Sequence, residues 1–178
     1  MKKLCPEENS LYFVWSDVEK EQISKIYMFF CETLQFYSEL RLAVEFQNLN
    51  VRIWRGHTEV NPRLIPIFRQ LGSLFLELGE FEKAKEYCKC VLKLCQEFIG
   101  EKSFDVAHAH FDLALTCLCG GEDEDGEKHF QLVLEIAKDI LNSGNLSSFY
   151  NALGAWYLKN GQAEEAKNCH EQAVEAQQ

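Results

Sequence analysis

The sequence has little proline and no long apolar segment. Three prolines and ten glycines in 178 residues leave room for long, uninterrupted helices. No apolar run approaches the roughly 20 residues that a membrane-spanning helix requires. The N-terminal segment MKKLCPEENS carries two lysines but lacks the apolar core of a signal peptide. We therefore expect a cytoplasmic protein that does not associate with a membrane.

Basic residues are also few. Lysine and arginine number 18 against 28 aspartates and glutamates, a net charge of −10, and the excess of acid is concentrated in residues 121–178. Nucleic acids and anionic membranes are bound chiefly by cationic side chains, and an acidic surface repels them. This charge excludes nucleic acid as the expected partner and leaves proteins or peptides.

Apolar residues, in contrast, are abundant. They make up 47% of the chain, and aromatic residues make up 12%. A chain of this length and composition buries a substantial core, so intrinsic disorder is not expected. We expect one domain that spans residues 1–178.

The segment Phe68–Val91, FRQLGSLFLELGEFEKAKEYCKCV, shows most clearly the arrangement of apolar and small residues on which the chain is built. It predicts two amphipathic helices with a tight turn at Gly79 between them, because apolar residues recur at helical spacing on both sides of that glycine. Gly72 and Ala84 are small where the two helices have to approach closely. The pattern predicts a helical hairpin.

This unit recurs along the chain. Gly121 lies 42 residues after Gly79, and Gly161 lies 40 residues further on, each between segments of similar pattern. A step of 42 residues upstream of Gly79 reaches Tyr37, in a copy that by this alignment has lost its small residues and its turn glycine. Ser16 or Asp17 is the expected N-cap of the first helix. A repeat of helical hairpins follows from this period.

The order of large, small, aromatic, turn and small residues resembles the tetratricopeptide repeat. The 42-residue period and the connector after the second hairpin are similar to the repeats of kinesin light chain, in residues Gly100, Glu101, Asp105, Val106 and Ala107. The resemblance implies an all-α, right-handed superhelical solenoid of three to four antiparallel helical hairpins. The expected hairpins span residues 17–55, 62–99, 104–142 and 146–178.

The resemblance also implies a concave groove that is lined by the first helix of each hairpin and binds a peptide or helix of a partner protein. Projecting the groove positions onto this sequence gives the expected partner-binding residues Tyr27, Arg69, Gln70, Ser73, Glu77, His108, Phe111, Asp112, Asn151, Ala155 and Lys159.

Two family features are only partly present. The carboxylate clamp of chaperone-binding members uses groove lysines and asparagines. Here Asp112 stands between the cationic Arg69 and Lys159, and Ser73 replaces an asparagine. Of the paired asparagines common in kinesin light chain, Asn151 alone has a counterpart. The resemblance therefore implies a groove without implying the peptides that those relatives bind.

Cysteines and histidines raise the question of a chemical site. Cys88 and Cys117 occupy apolar repeat positions, where free cysteine packs as a small hydrophobic residue. Residues two apart on a helix point away from each other, which argues against a metal held by His108 and His110. Cys88 and Cys95 share a helix face near Cys117, so a zinc or redox site remains an alternative. We expect no catalytic site, no cofactor and no metal.

The function that follows is a non-catalytic interaction scaffold or adaptor. The alternative is a structural assembly or oligomerisation module of a larger protein, for two reasons. The last predicted helix, from Ala163 to Gln178, has no polar helix after it to cover its apolar face, as solenoids usually have. The first hairpin is rich in aromatic residues. Self-association through uncapped helix ends is expected in that case, and the chain is then a fragment or is covered by another chain.

Overall fold

A computed structural model of the chain describes residues 15–54, 61–140, 143–159 and 161–177. Within these residues the chain forms helices and no strand. The helices are α1 (Asp17–Phe36), α2 (Leu40–Trp54), α3 (Leu64–Glu77), α4 (Phe81–Phe98), α5 (Phe104–Cys119), α6 (Asp123–Ile140), α7 (Ser143–Lys159) and α8 (Ala163–Glu175). The sequence also predicts a turn at Gly56, Asn61 and Pro62 between the first two hairpins, and residues 55–60 of this segment lie outside the described residues.

Consecutive helices pack as antiparallel pairs. The pairs are α1 with α2, α3 with α4, α5 with α6 and α7 with α8, and α4 also packs against α5. This all-α helical repeat confirms the predicted fold class. The chain divides into two compact units, residues 1–56 with the first hairpin and residues 57–178 with the other three. The expected single domain stays a prediction.

Three glycines make the hairpin turns, as the sequence predicts. Gly79, Gly121 and Gly161 have φ values of 74°, 80° and 78°, in the left-handed region that glycine adopts without a steric penalty. The residue after each glycine donates its backbone N–H to the carbonyl five residues earlier, for example Glu80 to Phe75 at 2.9 Å. These bonds close the end of the first helix and reverse the chain.

Small residues lie where the paired helices cross most closely. A Cβ atom added to Gly72 would lie 3.2 Å from Sγ of Cys88, and one added to Gly154 would lie 3.0 Å from the ring of His170. At Gly126 the added atom would lie 2.5 Å from Cγ of Leu118. The glycines therefore set the distance between the two helices in the second, third and fourth hairpins.

The first hairpin follows the same plan, but its turn is one residue later than the sequence analysis placed it. The residue with positive φ is Ser38 (62°), not Tyr37, and Glu39 donates to the carbonyl of Leu34 at 2.8 Å. Ser38 is therefore the equivalent of Gly79. In this register the small residues are present: Cys31 and Ala43 are fully buried, and Sγ of Cys31 lies 3.2 Å from the carbonyl oxygen of Ala43. The expectation that this hairpin had lost its small residues is wrong.

The predicted start of α1 is confirmed. Ser16 is the N-cap and forms a capping box with Glu19, whose carboxylate accepts the backbone N–H of Ser16 at 2.8 Å. This arrangement satisfies backbone donors that the first turn of a helix leaves free.

The core of the second unit is formed by apolar side chains from each of its three hairpins. Leu64, Ile67, Leu71 and Leu74 of α3 are almost completely buried. Burying such a side chain stabilises a fold by about 1.5–3 kcal/mol. A second cluster joins α5 to α8 and consists of Ala107, Phe111, Ala114, Leu118, Phe130, Val133, Phe149, Leu153 and Cys169.

Candidate functional site

The first helix of each hairpin is called the A helix here, and the second is called the B helix. The predicted partner-binding residues lie on A helices: Tyr27 on α1, Arg69, Gln70, Ser73 and Glu77 on α3, His108, Phe111 and Asp112 on α5, and Asn151, Ala155 and Lys159 on α7. Tyr27 belongs to the first compact unit and the others to the second. The site is therefore described from α3, α5 and α7.

Three of the predicted residues form one polar network between α3 and α5. Nε of Arg69 lies 3.6 Å from Oδ2 of Asp112, and Nδ1 of His108 donates to that same oxygen at 3.2 Å. Nη2 of Arg69 lies 3.7 Å from Oδ1 of Asp105. His108 and Asp112 come together because they are four residues apart on one helix, where side chains share a face.

The guanidinium of Arg69 is held by charge rather than by hydrogen bonds. Its distances to the carboxylates of Asp105 and Asp112 exceed hydrogen-bond length, and its Nε and Nη2 atoms are buried without a hydrogen-bond partner. The side chain as a whole is 29% exposed and that of Asp112 is 23% exposed. The network is thus partly open to solvent and has two carboxylates for one guanidinium.

Aromatic rings border this network. The ring of His108 lies 5.9 Å from that of Phe104, 6.2 Å from that of Phe111 and 6.4 Å from that of Phe149, each measured between centroids. Phe104 is exposed, whereas Phe111 and Phe149 are buried. Polar and apolar groups therefore lie side by side on the A-helix surface, a combination suited to a peptide.

The remaining predicted residues have different surroundings. Phe111 packs inside the core against Phe130 and Phe149 at centroid distances of 6.3 and 5.1 Å. Oδ1 of Asn151 lies 3.2 Å from Nδ1 of His170 on α8. Tyr27 packs edge-on against Phe46 at 5.9 Å in the first unit.

Ser73 and Glu77 of α3 are exposed, as are Ala155 and Lys159 of α7, and Gln70 is half-buried. The partner-binding role of every one of these residues stays a prediction.

Sequence reasoning missed three members of the site, Phe104, Asp105 and Phe149. Phe104 and Asp105 stand at the start of α5, in a segment that the sequence analysis treated as a connector. Their spacing to His108 and Asp112, four and seven residues, would have placed them on the same face of the helix. Nothing in the spacing of Phe149 separates it from other core residues.

The described residues contain no group of three or more histidines, cysteines or acidic residues that could hold a metal ion. Cys88 lies beside Thr116, with Sγ 3.8 Å from Oγ1. Burial raises the pKa of the Cys88 thiol to about 12 and that of Cys31 to about 11. These thiols are protonated at neutral pH and are poor nucleophiles.

A pair of histidines joins α5 to α6. The Nδ1 atoms of His110 and His129 lie 3.1 Å apart, and their rings lie 5.2 Å apart between centroids. Burial lowers the pKa of both imidazoles, and each is further lowered by nearby positive charge, His129 acting on His110 and the lysines Lys89 and Lys85 on His129. Both rings are therefore neutral near pH 7, and one donates its Nδ1–H to the other.

Two family models, each described as tetratricopeptide repeat, match residues 64–139 and 146–178. Together the two matches span more than half of the chain. The chain belongs to the tetratricopeptide repeat family. The first hairpin lies outside both matched ranges, although its helices and turn follow the same plan. The curated proteins include no match to this sequence.

Solved structures share this tetratricopeptide repeat fold. BtubC (BKLC) from P. vanneervenii is 24% identical with a TM-score of 0.67, and the match covers 88% of this chain and 61% of that one. A Podosopora anserina protein described as a putative kinesin light chain is 18% identical with a TM-score of 0.68, over 91% of this chain and 76% of that one. The tetratricopeptide repeat protein thus spans about three fifths of the length of BtubC.

A third solved structure is the Rap conjugation gene regulator of the plasmid pLS20, in complex with the Phr* peptide. It is 11% identical with a TM-score of 0.71, and the match covers 97% of this chain and 48% of that one. At these identities the likeness concerns the fold alone. In the residues described, no helix is long and apolar enough to cross a membrane.

Proposed function

We propose that this tetratricopeptide repeat protein is a non-catalytic adaptor that binds a peptide or helix of a partner protein on the A-helix surface of α3, α5 and α7. The observation that carries the proposal is the network of Arg69, Asp112 and His108, which lies partly open to solvent beside the exposed ring of Phe104. Peptide backbones need polar partners and their side chains need apolar ones, and this surface offers both.

The guanidinium of Arg69 supports this role in a specific way. Two of its donor atoms face carboxylates at 3.6 and 3.7 Å without hydrogen bonds. Rotation of the side chain toward solvent would let these buried donors hydrogen-bond to a carbonyl or carboxylate oxygen of a bound peptide, and that bond would replace the two ion pairs. A regulator of similar fold was solved in complex with a peptide, which supports peptide binding as the kind of function.

The net charge supports a protein as the partner, and the free cysteines support the cytoplasm as the compartment. The net charge of −10 favours a protein partner over nucleic acid. All seven described cysteines are free, and five of them are buried, as expected for a protein of the reducing cytoplasm.

The experiment begins with peptides selected from a random display library against the whole chain. Ala155→Arg places a long cation on the exposed A-helix surface of α7, and Asn168→Arg places the same side chain on the exposed side of the B helix α8. We expect Ala155→Arg to weaken the selected peptides at least about tenfold, a change of about 1.4 kcal/mol, and Asn168→Arg to leave them unchanged.

Ser73→Arg on α3 is a second test of the same surface and should act in the same direction. Equal affinity for wild type, Ala155→Arg and Ser73→Arg would place the binding site elsewhere and reject the proposal.

A further inference from the structure

The four turns define equivalent positions in the four hairpins. Ser38, Gly79, Gly121 and Gly161 have the same backbone conformation and the same closing hydrogen bonds. Counting from these residues aligns every A helix with every other A helix, and every B helix with every other B helix. Contacts seen in one hairpin can thus be compared with the same positions in another.

The contact between α4 and α5 shows how the second hairpin packs against the third. Nζ of Lys85 on α4 donates to the carboxylate of Glu122, which directly follows the turn at Gly121. Sγ of Cys88 lies 3.8 Å from Oγ1 of Thr116. The buried residues Ala109 and Leu113 lie on the same face of α5 as Thr116, at helical spacing.

The first hairpin leaves two apolar residues of the A-helix half of this contact exposed. Ile26 and Phe30 of α1 are equivalent to Ala109 and Leu113. Ile26 is 52% exposed and Phe30 is 47% exposed, whereas Leu113 is 1% exposed. The equivalent of Glu122 is Glu39, which is also exposed. We call Ile26, Phe30, Thr33 and Glu39 the α1 face.

The last described hairpin leaves much of the B-helix half of this contact exposed. Ala163, Lys167, His170 and Val174 of α8 are equivalent to Phe81, Lys85, Cys88 and Leu92 of α4, and they line an open apolar concavity. Val174 is 58% exposed. The Lys167 side chain is 69% exposed, against 16% for its equivalent Lys85 in the completed contact. We call these four residues the α8 face.

We propose that the α8 face of one copy docks on the α1 face of a second copy and reproduces the contact between α4 and α5. The two faces stand at the positions of the two halves of a contact that the chain already makes internally. The apolar side chains of the α1 face are larger than their equivalents on α5, and Ala163 and Val174 of the α8 face are smaller than their equivalents on α4. The two faces are complementary in charge, since Lys167 then meets Glu39 of the second copy as Lys85 meets Glu122. Val174 covers Ile26 and Phe30, which removes apolar surface of both copies from water.

The present contacts of Lys167 allow it to pair with Glu39 of a second copy. Lys167 has an ion pair with Glu171 at 3.9 Å, in which both side chains are more than half exposed. Such a pair contributes little, so it opens readily toward a better partner. Because the two faces differ, the association is head-to-tail and continues into chains or rings rather than stopping at a twofold dimer.

The test uses sedimentation velocity of the whole chain over a wide range of concentration. We expect wild type to associate, and Lys167→Glu and Glu39→Lys each to weaken that association about tenfold, because each places like charges opposite each other. The decisive sample is an equal mixture of the two variants. Each contact between unlike variants again pairs opposite charges, so the mixture should regain association that neither variant shows alone.

Matched controls separate this effect from net charge. Lys128→Glu and Glu135→Lys make the same changes in charge at exposed positions of α6, outside both faces. They should leave association unchanged, and thermal unfolding should show that all four variants are folded. A wild type that stays monomeric at every concentration overturns the proposal. So does association that persists in both face variants, or one that the α6 controls weaken equally.

Discussion

The Nδ1 atoms of His110 and His129 lie 3.1 Å apart, at the position where two other hairpins carry an aromatic pair. The equivalents are Phe68 with Tyr87, whose centroids are 5.6 Å apart, and Tyr27 with Phe46, at 5.9 Å. The third hairpin therefore joins its two helices through groups that change charge within the physiological pH range.

This pair predicts that stability falls in mild acid. The pKa of each imidazole is lowered in the folded state, so the unfolded chain binds more protons than the folded chain. The contribution of the neutral pair to the free energy of unfolding is fully present above the unfolded pKa of about 6.5. It declines as the pH falls below that value, by at most about 1.4 kcal/mol per pH unit for each histidine. The decline ends once the pH has passed the lowered pKa values.

The neighbouring charges do not cancel this effect. Glu101 raises the pKa of His110 and Asp125 raises that of His129, but burial is the largest influence on both and acts the other way. The measurement is urea unfolding between pH 7.5 and 5 for wild type and for a His110→Phe, His129→Tyr double variant. The variant restores the aromatic pair and should lose less stability in acid. Parallel curves for the two proteins would contradict the prediction.

The surroundings of Gly126 and Gly72 predict different effects on stability when each glycine is replaced by alanine. Alanine in place of glycine gains about 1 kcal/mol of helix propensity. In Gly126→Ala the new methyl group would lie 2.5 Å from Cγ of Leu118, so either the Leu118 side chain or the two helices have to shift, an overpacking that costs about 1–3 kcal/mol. In Gly72→Ala the nearest atom is Sγ of Cys88 at 3.2 Å, which can shift.

We therefore expect Gly126→Ala to lower the melting temperature and Gly72→Ala to change it much less. Differential scanning calorimetry of the two variants makes the comparison. Equal melting temperatures would show that the packing of α5 on α6 is less tight than these distances indicate.

The first hairpin shows where sequence reasoning failed and why. A fixed period of 42 residues led to Tyr37, whereas the turn is at Ser38, because a left-handed serine is not recognisable from its residue type. Buried Gln47 stands where two other hairpins have Cys88 and Phe130, and buried Asn50 stands where the other three have Val91, Val133 and Ala173, so the alignment lost apolar markers. In the other three hairpins the turns are at Gly79, Gly121 and Gly161, the glycines that the sequence analysis picked, because a glycine and two small residues fix the register of each.

Ser38 supplies a prediction of its own. A non-glycine residue in the left-handed region destabilises the fold by roughly 1–2 kcal/mol. Glycine removes this strain, but it also increases the entropy of the unfolded chain, which offsets part of the gain in stability. Ser38→Gly should therefore raise the free energy of unfolding by up to about 1 kcal/mol, and Gly79→Ala should lower it, because alanine at φ 74° is strained. Chemical denaturation measures both. A less stable Ser38→Gly protein would mean that the serine hydroxyl makes a needed contact.

The candidate site was only partly predictable for a different reason. Helical spacing assigned Arg69, His108 and Asp112 to the A helices but could not say that they meet, because contacts between helices depend on the crossing geometry. The same limit applies to Phe111, because helical spacing could not predict that its ring packs against Phe130 and Phe149. Some positions of a helix lie at the boundary between its buried face and its exposed face. Sequence alone does not predict whether the side chain at such a position is buried or exposed.

The seven described cysteines divide sharply by accessibility, which predicts their reactivity. Cys90 and Cys119 are exposed, whereas Cys31, Cys88, Cys95, Cys117 and Cys169 are buried. Burial raises the pKa of each of these five thiols and also shields them from reagents. Native protein should thus react with a thiol reagent at Cys90 and Cys119, and the five buried thiols should react only as the chain unfolds.

A variant with Cys5, Cys90 and Cys119 changed to serine makes this prediction quantitative. Cys5 is replaced as well because it lies outside the described residues. The native variant should resist labelling, and in denaturant all five remaining thiols should react, at a rate that follows the population of unfolded chain. Rapid labelling of the native variant would reveal a reactive thiol in the core and would revive the redox alternative. Slow labelling assigns these five cysteines to packing, where their small size lets the paired helices approach.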